Sequence, residues 1–375
     1  MSFHFDPPER ILLGPGPSNV PPRVLTAMAR PTVGHLDSTY LALMEEVQRL
    51  LRLVFKTENE ATFAVTGGGT AAMECALYNL VEPGDKVVCC VHGYFGDRMR
   101  QMLERAGADL HLVTAPWGQP IDPAALEATL SKLGRADLVT VVHGETSTGV
   151  QQDILPLAEL ARQHQALILV DTVASLGGVE FETDAWGVDC VYTGAQKCLS
   201  APPGISPITF GPKAMARIER RKQPCSSWYL DVLLNMSYWR RPAAYHHTGP
   251  INLTYALYEA LKLIEEQGLP QRIAHIQQVA EQLWTGLGEL GLKLVVAKEH
   301  RLPTLTTVLA PAGVDEASVR GQLMNDYGIE IAGGLGDFKG RAWRVGLMGH
   351  SAQSRYVSLL LTGLAKILSP QLTKL

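Results

Sequence analysis

Ala166-Leu167-Ile168-Leu169-Val170-Asp171 is an unbroken apolar run closed by a carboxylate. The run is short, rich in branched side chains and free of polar alternation, which predicts a strand covered on both faces. Val87–Val91, Leu110–Val113, Leu138–Val142 and Cys190–Tyr192 read the same way. Between most of them lie helical patterns, such as Met99/Met102/Leu103, Leu126/Leu130/Leu133 and Leu157/Leu160. Strand and helix in alternation imply right-handed crossovers, and so an α/β fold with a large, mostly parallel sheet whose ligands sit at the carboxyl ends of the strands. An aspartate at such an end either faces a site or caps the turn that follows, because a carboxylate buried without a partner is costly.

Upstream, residues 11–23 carry Gly14-Pro15-Gly16-Pro17 and Pro21-Pro22, which predicts an extended arm that cannot be helix. Met44, Val47, Leu51 and Val54 then recur at helical spacing from about Leu43 to Phe55. After Gly268-Leu269-Pro270 the texture changes. A helix with Ile273, Ile276, Ala280, Leu283, Leu287 and Leu290 is followed by a strand at Thr304–Leu309 and a helix at Glu316–Tyr327, then by a strand at Trp343–Leu347 and a helix at Val357–Leu368. That order suits a small α+β C-terminal domain. The expected division is an arm over 1–20, a large domain over 21–270 and a small one over 271–375.

The 375 residues are 46% hydrophobic and 19% charged, enough apolar surface for a compact chain with no extended disorder. A net charge of −4 supplies no positive field for nucleic acid or anionic lipid, and no apolar run approaches bilayer-spanning length. Small-molecule partners are the expectation, with no nucleic acid and no membrane. The six cysteines show no paired metal-ligand spacing and read as reduced core residues; Cys89 and Cys90 lie inside a strand. Met1 to Pro8 shows neither the basic start nor the apolar stretch of a secretory leader, so a reducing, cytoplasmic setting is expected.

Two further segments carry chemistry. Thr66-Gly67-Gly68-Gly69-Thr70-Ala71-Ala72-Met73-Glu74 places three glycines and a hydroxyl at a helix start, where backbone N–H groups can face a phosphate; a glycine-rich loop with no ligand is the alternative. It lacks the lysine–hydroxyl pair of an NTPase loop. Tyr192-Thr193-Gly194-Ala195-Gln196-Lys197-Cys198 sets a lysine after a strand among small and apolar neighbours, where a lowered pKa would let it condense with an aldehyde. A phosphate cradle, a strand-end aspartate and a strand-end lysine, in that order, suggest pyridoxal 5′-phosphate. That cofactor needs an anion site, an acid to keep its ring nitrogen protonated and an amine to hold its aldehyde.

Gly14-Pro15-Gly16-Pro17-Ser18, His143-Gly144-Glu145-Thr146-Ser147-Thr148-Gly149, Val170-Asp171-Thr172-Val173-Ala174-Ser175-Leu176-Gly177-Gly178 and Gln196-Lys197 with Ala201-Pro202-Pro203-Gly204 together resemble the class V aminotransferases. The likeness covers essentially the whole chain, through Tyr245-His246-His247-Thr248, Gly333-Gly334-Leu335-Gly336 and Arg344-Val345-Gly346-Leu347. It implies the fold type I of pyridoxal-phosphate transferases. It also implies Lys197 as Schiff-base lysine and proton-transferring base, and Asp171 as partner of the pyridinium nitrogen. Gly69, Thr70 and Gln196 would bind the phosphate, with Gly68 completing the turn. Thr146 would lie near the ring hydroxyl and Val173 against one ring face. Phe95 would cover the other face, where closely similar enzymes have tryptophan, and Tyr94 beside it is an alternative stacker. Tyr245 and Thr248 would reach the phosphate of a neighbouring subunit, which makes the active site a property of a homodimer. Arg344 would grip the substrate carboxylate, and Gly16 and Gly34 would line the same cavity. Adjacent His246 and His247 on an extended chain face opposite sides, so no metal site is expected.

The implied reaction is a ping-pong exchange of an amino group between an amino acid and a keto acid. Arg344 is the one assigned carboxylate clamp, which favours small donors, alanine or serine, with glyoxylate or pyruvate as acceptor. Relatives that use ureidoglycine or aminoethylphosphonate are the alternative. A lyase of the desulfurase kind needs a late nucleophilic cysteine, and none follows Cys225. The last residues, Thr373-Lys374-Leu375, loosely resemble a peroxisomal address, with chance the favoured explanation.

Overall fold

The structure is a computed structural model that describes residues 6–372. Residues 1–5 of the expected arm and the tripeptide Thr373-Lys374-Leu375 lie outside the described residues. The chain enters as β1 (Ile11–Leu12) and turns at Gly16 before α1 (Pro22–Met28). Pro22 occupies the first turn of α1, where a missing N–H costs nothing because that position has no intrahelical acceptor. Pro22 and Arg23 are thus helical, which corrects the expectation of extended chain over all of 11–23. The helix α2 (Ser38–Phe55) is capped by Asp37, whose side chain accepts the Thr39 N–H at 2.8 Å, and it buries Met44, Val47, Leu51 and Val54.

Alternation then runs through β2 (Ala61–Thr66), α3 (Gly69–Leu80), β3 (Lys86–Val91), α4 (Tyr94–Arg105), β4 (Asp109–Thr114), α5 (Pro123–Leu133) and β5 (Leu138–Val142). A short hairpin of β6 (Gly144–Glu145) and β7 (Val150–Gln151) leads to α6 (Leu155–Gln163), β8 (Leu167–Asp171), β9 (Cys190–Tyr192) and β10 (Ile205–Phe210). One seven-stranded sheet orders them β2-β10-β9-β8-β5-β3-β4, with β10 antiparallel to both neighbours. From β3 the chain moves to β4 on one side, whereas β5 leads to β8 on the other. The switch point, where α/β sheets open a crevice for ligands, therefore lies between β3 and β5.

Two readings of this sheet need correction. Leu110–Val113 is not covered on both faces: β4 is the edge strand, and Leu112 is 46% exposed. The expected strands also omit β2 and β10. Pro207 within β10 argues against a central strand, yet it is tolerated because β9 ends at Tyr192, opposite Ile208. Beyond that pair the Pro207 carbonyl accepts the Thr193 N–H at 2.9 Å, and no ladder N–H is needed.

Beyond the sheet come α7 (Pro212–Glu219), α8 (Val232–Trp239) and α9 (Ile251–Gln267), then α10 (Leu269–Glu289) after a break at Gly268, whose φ is 82°. The remainder is β11 (Leu305–Leu309), α11 (Glu316–Tyr327), β12 (Ile329–Glu330), β13 (Ala332–Gly333), β14 (Ala342–Gly346) and α12 (Ser354–Leu372). The sheet β11-β14-β13 backs this C-terminal layer, and β1 pairs in parallel with β12. Apolar side chains from Val24 to Leu269 form one core, while Leu13 of the arm joins Ile276 to Leu368 in a second. Among the described residues no helix is long and apolar enough to cross a membrane. All six cysteines are free; five are buried, but Cys225 is only partly covered and is not a core residue.

Candidate active site

The strand ends at the switch point surround a cavity of about 230 Å3. Gly69, Thr70, Phe95, Thr146, Asp171, Val173, Gln196 and Lys197 all line it. Gly68 does not; it is the N-cap residue of α3, one step outside the wall. At Gly69 an added Cβ would come within 2.9 Å of Val173, so the glycine lets the α3 N-terminus close against the side chain expected under the ring. Gln196 contributes a buried side-chain oxygen, Oε1, that has no hydrogen-bond partner among the described residues.

Asp171 ends β8 directly opposite Tyr192 of β9. Its Oδ1 accepts the Val173 N–H at 2.8 Å and its Oδ2 accepts the Tyr192 hydroxyl at 2.7 Å. Burial pushes this carboxyl from 3.8 up to about 6, against the pull of those two donors. Lys197 follows β9 on a turn, and its amine donates to the carbonyl of Pro15 in the arm. Burial lowers the amine from 10.5 to about 8. Gly16, at φ 111°, lies against the same side chain: a Cβ there would come within 2.5 Å of Nζ. Ser18 completes the clasp, its Oγ donating to the Lys197 carbonyl at 2.8 Å.

Phe95, not Tyr94, faces the cavity; Tyr94 is 44% exposed. Gly93 offers no side chain to cap α4, so its first N–H groups are met from elsewhere. Buried Glu145 accepts from Phe95 N at 3.0 Å and Gly96 N at 3.2 Å, and Ser147 Oγ accepts from Tyr94 N at 2.9 Å. Arg344 is buried on the central strand β14 of the C-terminal sheet. It donates from Nε to Gly333 O at 2.8 Å and from Nη1 to Thr146 O at 3.1 Å. No protein acceptor among the described residues takes Nη2, which leaves a donor for an incoming carboxylate.

Three expected site residues stand apart. Gly34 is exposed, and a Cβ added there would meet nothing within 4 Å, so it does not line this chain's cavity, correcting that expectation. Tyr245, 62% exposed, packs its ring 5.0 Å from that of His35, and Thr248 is exposed nearby in sequence. His246 and His247 do not face opposite sides: their Nδ1 atoms are 2.9 Å apart, because the chain there is irregular rather than extended strand. Sequence reasoning missed Met73, Arg98, Val142, Gly144 and Ala174 in the cavity wall and the supporting roles of Tyr192 and Glu145. Glu145 stands inside the quoted His143–Gly149 motif, so a signal was present; Arg98, three residues after Phe95 on α4, carried one only through helical spacing.

A sheet of this order, with a lysine and an aspartate lining one cavity at the carboxyl ends of its strands, is that of the fold type I transferases. The profile of the family described as aminotransferase class-V matches residues 10–337, and the chain belongs to that family; it is an aminotransferase. It is 40% identical over 360 residues to an alanine–glyoxylate aminotransferase of Drosophila melanogaster, covering 95% of this chain and 91% of that protein. Similar solved structures include an alanine–glyoxylate aminotransferase from Nostoc sp., at 48% identity and a TM-score of 0.96 over 98% of this chain and 97% of that one. A ureidoglycine–glyoxylate aminotransferase from Bacillus subtilis matches at 36% identity and a TM-score of 0.95, over 98% and 94%.

Proposed function

We propose that this aminotransferase uses pyridoxal 5′-phosphate to move the amino group of a small donor, alanine or serine, to glyoxylate or pyruvate. The observation that carries the reading is the convergence of Lys197, Asp171 and the α3 N-terminus on one cavity. The residues present fit the cofactor: no protein donor among the described residues fixes the Gln196 Oε1, so the amide can turn its Nε2 donor to a phosphate, and Gly69 closes a slot against Val173. When bound, the cofactor supplies an electron sink for the carbanion left at the donor's α-carbon.

The protein's own groups divide the remaining work. Asp171 holds a proton on the ring nitrogen by hydrogen bond and charge, with its geometry set by Val173 N and the Tyr192 hydroxyl. Lys197, brought near neutrality by burial, takes the α-proton of the donor as a general base. Arg344 orients the donor through its carboxylate, and Thr146 sits beside it through the shared backbone bond. The relatives named for alanine and glyoxylate support a small donor.

A homodimer belongs to this reading. Tyr245 and Thr248 are exposed, and an apolar groove lined by Val33, Tyr40, Leu43, Tyr255 and Tyr258 lies on the surface of the same chain. The test is a half-reaction screen on the purified, cofactor-loaded protein, following bleaching of its visible absorbance by each amino acid and its recovery with each keto acid. Alanine or serine should bleach it and glyoxylate or pyruvate restore it. Bleaching by aspartate or ureidoglycine alone would overturn the assignment, and sedimentation as a monomer would remove the shared site.

A further inference from the structure

Arg98 carries a charge that no acidic group among the described residues answers. It lies in the first turns of α4, on the face it shares with Phe95, and it lines the cavity. The acids of that helix are already engaged: Arg100 pairs with Asp97 at 2.6 Å and also with Glu104. The Arg98 guanidinium carbon sits 4.8 Å from the Phe95 ring centre and 5.4 Å from that of Tyr94, and its Nη1 donates to Thr70 Oγ1 at 3.0 Å.

That last bond has a consequence for Thr70. A hydroxyl has one hydrogen to give, and accepting from Arg98 leaves the Thr70 hydrogen free to point at a ligand. In the same cavity wall stand the N-terminus of α3, which spans Gly69–Leu80, and the Gln196 side-chain amide, whose Nε2 can donate to an anion. Asp171 is the only carboxylate in the cavity wall among the described residues, and it is tied to Tyr192 and Val173. The Thr70 end therefore collects a helix terminus, a hydroxyl, an amide and a guanidinium without an acidic partner, a set suited to a dianion.

We propose that Arg98 is an anion-binding residue of this cavity, neutralising the phosphate of the cofactor directly and through Thr70. The inference rests on the pyridoxal-phosphate reading above. A second carboxylate on the amino donor would present similar oxygens, and the experiment separates the two sources. Equilibrium binding of pyridoxal 5′-phosphate and of pyridoxal, which lacks the phosphate, is measured on the cofactor-free full chain by quenching of tryptophan fluorescence. Arg98→Gln should weaken the phosphorylated ligand roughly tenfold to a hundredfold, as expected for a lost charged hydrogen bond. It should leave pyridoxal unchanged within about twofold, since that ligand has no anion to lose. Arg98→Lys should recover part of the loss, and if the glutamine variant melts early, the lysine variant is read by the same ratio.

Equal weakening of both ligands would overturn the proposal and leave Arg98 as a prop for the Phe95 ring. Unchanged binding of both, with a slowed half-reaction on aspartate alone, would overturn it in favour of a donor carboxylate. A wild-type chain that binds neither ligand would defeat the cofactor reading itself, whatever Arg98 does.

Discussion

The Tyr192 hydroxyl donates to Asp171 Oδ2 at 2.7 Å across adjacent parallel strands, in register at the carboxyl edge of the sheet. The carboxylate is buried, and burial favours its neutral form, holding it at about 6 in spite of its two hydrogen-bond donors. The phenol is one of the two donors that oppose this. Tyr192→Phe removes it without changing the ring volume. A hydrogen bond to an ionised group is worth about 1.5–3 kcal/mol, so the acid limb of kcat/KM against pH should move upward by roughly one to two pH units. A limb that stays in place would show that Val173 N alone keeps Asp171 ionised.

Asp171 also shapes the stability of the cofactor-free protein. Its folded value, about 6, lies above the ordinary 3.8. The stability this group contributes is therefore fully present below pH 3.8 and is lost as pH rises through 6, by roughly 3 kcal/mol. Asp171→Asn should flatten that part of the urea-denaturation profile between pH 4 and 7. An unchanged slope would place the titration elsewhere.

For Lys197 the direction is opposite. Burial holds the ammonium form at a disadvantage, with the midpoint near 8 rather than 10.5. Reductive methylation of residue 197 in the cofactor-free chain, followed by peptide mass spectrometry, should reach half its maximal rate near pH 8. Half-maximal reaction near pH 10 would contradict the lowered value.

Gly16→Ala tests the clasp on the lysine. The φ of 111° strains any side chain, and the new methyl would stand 2.5 Å from Nζ. A cost of about 1–3 kcal/mol in unfolding free energy is expected, together with slower condensation of the amine with aldehydes. Wild-type stability and wild-type condensation together would show that the arm yields freely.

What could be read from the residues follows contact range. The runs that became β3, β5, β8 and β9 declare themselves because both their faces are buried, and Lys197 and Asp171 are conspicuous as polar groups at the ends of such runs. The exposure of β4 was hidden, since an edge is a property of which neighbour is missing. Pro207 concealed β10, because its tolerance depends on where β9 stops. Glu145 meets Phe95 from 50 residues away, so its motif marked the residue without showing its partner, and Tyr192 meets Asp171 only through strand register. The resemblance to a family placed Phe95, Val173 and Thr146 in the cavity, where periodicity had nothing to say.

The arm joins distant parts of the chain. Ile11 pairs with Ile329, the Gly346 N–H donates to Leu13 O at 2.8 Å, and the next residues deliver the Pro15 carbonyl to the Lys197 amine. The acceptor that restrains the reactive nitrogen thus rides on the C-terminal layer, while the nitrogen itself belongs to the seven-stranded sheet. The bonds from Arg344 to the Thr146 carbonyl and from Thr304 to the Ala174 carbonyl cross between the same two parts, so the restraint on the amine and the shape of the wall both depend on how the C-terminal layer is seated.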